Sequence, residues 1–92
     1  METGKLTDMP NIGRILAHKL LRAGIKTPGQ LLETGSSIAF LRIRALEPDA
    51  CVCSLFALEG AVRGIRWHQL PGETKQDLRE FYYLLENSDC NA

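Results

Sequence analysis

The 92-residue chain has no net charge: eleven Lys and Arg stand against eleven Asp and Glu. A protein that captures polyanions by bulk attraction carries a marked positive excess, so this balance argues against a strong, non-specific polyanion binder. No apolar run is long enough to cross a bilayer, because the richest stretch, 50–62, is broken by Ser54, Glu59 and Gly60. The opening METGKLTDM lacks the charged-then-apolar pattern of a secretory leader. These absences predict a soluble, cytoplasmic protein with no membrane partner. Cysteine is scarce, with only Cys51, Cys53 and Cys90. On a helix, Cys51 and Cys53 point about 200° apart, and His18 and His68 stand at no ligand spacing, so reduced thiols are expected and no metal or other cofactor. The chain also lacks a catalytic triad and a P-loop, and a chain this short is expected to have no room for a sizeable pocket. No enzyme and no small-molecule substrate are predicted.

Low-complexity segments are absent too, and 45% of the residues are apolar, which fits one small globular domain over 1–92 with its core at about 6–86. The spacing predicts an all-α protein, a compact five-helix bundle, which in shape resembles helix-hairpin-helix and sterile-alpha-motif domains. Ile12, Leu16 and Leu20 repeat every four residues and predict a first helix over 11–23, with Asn11 as N-cap and Gly24 just past its end. Thr27, Pro28 and Gln30 form a capping box that opens a second helix over 28–34. A third begins at Ser36 or Ser37 and stops before Pro48, with Ile38, Phe40, Leu41 and Leu46 as its apolar residues. The fourth, over 50–63 with Asp49 as N-cap, is apolar nearly all round and is the expected central helix. A fifth, amphipathic helix runs over 71–86, and residues 87–92 are expected to fray.

Charge is polarised along the chain. Residues 10–32 carry Arg14, Lys19, Arg22 and Lys26 and no acid, and Arg14, His18 and Arg22 form one stripe on the first helix. Residues 71–92 carry Lys75 and Arg79 against Glu73, Asp77, Glu80, Glu86 and Asp89. In the basic region, Met9-Pro10-Asn11-Ile12-Gly13 enters the first helix and Ala23-Gly24-Ile25-Lys26-Thr27 enters the second. Free amides at a helix start favour an anion such as phosphate. The first segment resembles the hairpin of the helix-hairpin-helix family, apolar-Pro-Gly-apolar-Gly, with Asn11 in place of the first glycine. That resemblance implies a grip on a nucleic-acid backbone that does not read sequence. The residues expected to form the seat are Asn11, Ile12, Gly13, Arg14, His18, Lys19, Arg22, Gly24 and Lys26. A solvated face of a purely structural bundle would carry the same residues.

A wider pattern takes in nearly the whole chain. MPNIG, AGIKT, ALEGA and a closing W-H-x-L-P follow one another in order. Over about 6–86 this resembles the C-terminal domain of the TfoX/Sxy family, which is associated with regulation of natural competence, the uptake of DNA for transformation. The resemblance implies a bacterial regulatory domain. Full-length members join it to an N-terminal α/β domain, so a stand-alone form or an excised domain is expected here.

Three residues are read as structural. Glu59, inside the most apolar helix, needs a partner if ionised: amides at a helix start, Arg63 four residues on, or the Trp67 N–H. A catalytic acid would need a second carboxylate or a nucleophile–base pair beside it. Gly60 is expected to let another helix cross closely, and Trp67 to plug the end of the core, where it could otherwise stack a base or anchor a partner. Of the adjacent Tyr82 and Tyr83, one at most can face the core, which leaves the other for the surface.

Two functions remain open. One is a regulatory module in weak, salt-sensitive contact with the DNA backbone. The other is a protein-interaction module that contacts a transcription regulator or self-associates, the basic 10–32 region pairing head-to-tail with the acidic last helix.

Overall fold

Five helices form where the apolar spacing predicts them. In the computed structural model, which describes residues 5–90 and side chains as far as Glu86, they are α1 (Arg14–Arg22), α2 (Pro28–Thr34), α3 (Ser36–Leu46), α4 (Val52–Arg63) and α5 (Gly72–Cys90). Single 3-10 turns at Leu6–Asp8 and Trp67–Gln69 precede α1 and α5, and the described residues include no strand. The α4 helix is central, packed against α3, α5 and the Trp67–Gln69 turn, while α1 packs on α3. Phe40 and Ile43 of α3, Leu55 and Leu58 of α4, and Leu20, Ile25 and Leu31 from the N-terminal half fill the core. No described helix is long and apolar enough to cross a membrane.

Helix ends follow local chemistry. Thr27 Oγ1 accepts from the Gln30 amide at 3.1 Å, and the Gln30 side chain reaches back to the Lys26 amide at 2.6 Å, one residue before the cap. At the end of α1, Gly24 is left-handed (φ 88°), its amide bonds to Leu21 O and that of Ile25 to Leu20 O. This is a Schellman closure, and Gly64 and Ile65 repeat it at the end of α4.

Several boundaries differ from expectation. Gly13, not Asn11, caps α1, and Cys51, not Asp49, precedes α4. The last helix continues through Cys90 instead of fraying at 87, and residues 91–92 of the expected tail lie outside the described residues. Ile38 and Leu46 face solvent, because α3 turns Ala39, Phe40 and Ile43 toward α4. Tyr82 meets Phe40 at 6.1 Å between ring centroids and Tyr83 is exposed, the division expected of the pair.

Candidate functional site

The expected anion seat divides into parts. Arg14, His18 and Lys19 line an open depression of about 1040 Å³ together with Gly13, Ile15, Leu16, Glu47 and Ser54. Its size corrects the expectation that the chain has no room for a sizeable pocket, although it is a trough in the surface and not an enclosed site. Lys26 lies elsewhere, beside Lys5, Leu6 and Leu21. Glu47, at the end of α3, takes two of the four bases: Lys19 Nζ lies 3.2 Å and Arg22 Nη1 3.5 Å from its carboxylate oxygens. Arg14 and His18 form no ion pair among the described residues. Between these bases stands Ile15, 76% exposed.

Three of the hairpin amides, those of Ile12, Gly24 and Ile25, are engaged within the fold. Ile12 is buried and its N–H meets Met9 O at 3.4 Å, while the Gly24 and Ile25 amides close the end of α1. Asn11 is the sole non-glycine residue with positive φ among those described, at 69°. It supplies the left-handed backbone that glycine would, following Pro10 in the arrangement of a type II turn. Its side chain is a clamp: Nδ2 donates to Ile65 O at 2.9 Å and to Ala57 O at 3.5 Å, and Oδ1 accepts from the Trp67 amide at 3.0 Å. The expected N-cap is therefore a long-range tie, and neither its side chain nor the Ile12 amide is free for phosphate.

Gly60 is where it is because of that clamp. A Cβ there would lie 2.4 Å from Asn11 Nδ2 and 2.8 Å from Ile65 O. The close neighbour is the Asn11 side chain and the turn after α4, and not a crossing helix as expected. Trp67 stacks on Phe56 with centroids 6.1 Å apart and planes 11° from parallel, and Lys75 Nζ lies 5.6 Å from its ring centroid. Trp67 itself remains 43% exposed. Arg66, Trp67, Asn11 and Cys53 border a smaller hollow of about 360 Å³.

Glu59 joins α4 to α3. Ser36 Oγ donates to Oε1 at 2.5 Å and Arg63 Nε to Oε2 at 2.5 Å. Burial disfavours the ionised carboxylate, but the Ser36 hydroxyl and the Arg63 guanidinium outweigh it and hold the group below the usual carboxylate range. Arg63 was among the expected partners; Ser36, buried at the start of α3, is legible only in three dimensions.

Cys51 and Cys53 are both free and exposed. Burial opposes the Cys51 thiolate, yet the Ser54 and Cys53 amides at the start of α4 favour it more, and this thiol titrates low. Burial and then the neighbouring Cys51 charge push Cys53 up. Among the described residues no group of three or more His, Cys, Asp and Glu side chains is placed to hold a metal ion.

The pieces that gather around Asn11 (the MPNIG turn, Gly60 of ALEGA and Trp67) are the ones whose order along the chain resembled a known domain. The family model of the TfoX C-terminal domain matches residues 2–82. The chain belongs to this family. It is 35% identical over 77 residues to Protein Sxy of Escherichia coli strain K12, an alignment covering 84% of this chain and 37% of Sxy. The domain thus spans little more than a third of that curated relative's length. Two crystal structures of proteins from Listeria monocytogenes share the fold. One, of an uncharacterized protein in a triclinic form, is 48% identical with a TM-score of 0.89, covering 90% of this chain and 94% of the other. The second, of a protein of unknown function in a tetragonal form, is 49% identical with a TM-score of 0.86, covering 87% and 99%.

Proposed function

We propose that this TfoX C-terminal domain is a non-enzymatic regulatory module of the competence-regulator type, acting by protein contact through the outer face of α1. The observation that carries this reading is Ile15, 76% exposed within a basic trough. An isoleucine held in water amid Arg14, His18 and Lys19 gains from an apolar partner surface ringed by acid, and a phosphate backbone offers it nothing. The internal bonds of the Ile12, Gly24 and Ile25 amides support the same choice. A transcription regulator with an acidic, apolar surface is the class of partner that fits.

A second reading has one observation in its favour. No side chain caps α1 at Gly13, so the first amides of that helix, beside Arg14 and His18, suit a phosphate. Contact of that kind would be weak and would fade as salt rises from about 20 mM to about 0.15 M. Photo-crosslinking in cells from a probe at position 15, with exposed Leu32 as the control position, tests the two. Adducts to protein are expected from position 15 and not from 32; adducts to DNA would overturn the protein reading. A duplex titration followed by NMR at both salt concentrations checks the same point. Shifts at Ile12, Gly13, Arg14 and residues 24–27 that appear at the lower salt and fade at the higher would favour DNA, and no shifts at either would remove that reading.

A further inference from the structure

The α1 face has a counterpart on α5. Along α5, Glu73, Asp77, Glu80, Tyr83 and Leu84 recur at three- and four-residue spacing and are all exposed, whereas Leu78, Phe81, Tyr82 and Leu85 turn inward. The three carboxylates form no ion pair among the described residues. Tyr83 and Leu84 are 64% and 66% exposed. This is an acidic stripe with two large apolar side chains at one end. The α1 face is its complement, with Arg14 and His18 beside exposed Ile15 and Leu21. At 1.5 Å per residue the stripes run about 17 Å on α5 and about 11 Å on α1, so one can lie along the other.

Because α1 packs on α3 and α5 on α4, and the side chains of both faces are exposed, the two faces do not meet within one chain. We infer that the α1 face of one copy docks on the α5 face of a second copy, an inference that rests on the reading of α1 as a protein-docking face. The contact joins unlike surfaces, so it leaves one free face at each end and grows head-to-tail unless the rotation closes a ring. Exposed charges contribute orientation and salt sensitivity, and Ile15 with Tyr83 and Leu84 supplies the apolar burial.

Sedimentation velocity on the wild-type chain, and on two surface variants alone and mixed, tests this. Ile15→Asp removes the α1 face and leaves α5 intact; Leu84→Arg does the reverse. Wild type is expected to rise above the monomer mass with concentration, and to lose at least tenfold in association constant between about 20 mM and about 0.5 M salt. Each variant alone is expected to stay monomeric, and the mixture to stop at a 1:1 complex, since only one productive pair of faces remains. A wild type that stays monomeric up to about 1 mM (in the affinity range of Kd above that value), or an assembly that survives either substitution, overturns the inference. Should the chain stay monomeric while a probe at position 15 still crosslinks to another protein, the docking face stands and its partner is not a second copy. If neither occurs, both readings fail.

Discussion

At the residue scale the decisive side chain is Asn11, which does two jobs that alanine and glycine separate. Alanine loses both the favoured left-handed backbone and the clamp on Ile65 O and the Trp67 amide. Asn11→Ala should therefore lower stability by about 2–4 kcal/mol, and Asn11→Gly, which keeps the turn, by less. Urea unfolding of the two variants checks the order. Cys51 offers a second test. Its thiol titrates below that of Cys53, because the first amides of α4 favour its anion and that charge in turn disfavours a second one at Cys53. With Cys90 replaced by Ser, iodoacetamide at about pH 7.5, below the ordinary thiol range, should label Cys51 several-fold faster than Cys53 by peptide mapping. Equal rates would contradict the assignment.

At the element scale, two helix-associated glycines resist substitution for different reasons. Gly24 ends α1 at φ 88° with nothing within 4 Å of where a Cβ would stand, so its constraint lies in the backbone alone. Gly60 sits inside α4, where a Cβ would run into the Asn11 amide and Ile65 O. Asparagine tolerates the left-handed region, so Gly24→Asn should cost less than Gly24→Ala, which is set at about 1 kcal/mol. At Gly60 the order reverses, since any larger side chain worsens the overlap, and Gly60→Asn should be the most destabilising of the set. Thermal unfolding of these three variants and of Gly60→Ala separates conformational cost from crowding. The Schellman closure at the end of α1 also engages the Gly24 and Ile25 amides of AGIKT with α1 carbonyls.

At the scale of the whole molecule, the two halves are tied at Asn11 to the α4 turn and at Ser36 to Glu59, both across long stretches of chain. The second tie makes stability depend on pH. Glu59 is held below its ordinary value, so its contribution is complete above the unfolded carboxylate value and is lost as pH falls through the folded one. Glu59→Gln should lower the urea midpoint at pH 7 and leave little difference from wild type near pH 3, below about 4 where an unfolded carboxylate gains its proton. Most of this architecture was legible along the chain. Apolar spacing, the Thr27-Pro28-Gln30 cap and the terminal glycines are local signals, and they located all five helices and the order of motifs that marks the family. The basic stretch was legible as composition, but its availability was not: Glu47 reaches Lys19 and Arg22 only after α3 folds onto α1. For the same reason Asn11 reads as a helix cap in one dimension and as a clamp in three. The sequence by itself determined which segments are helical, because caps and periodicity act within a few residues. Only the tertiary structure decided which polar groups are already engaged and which face still lacks a partner, because those depend on neighbours tens of residues away.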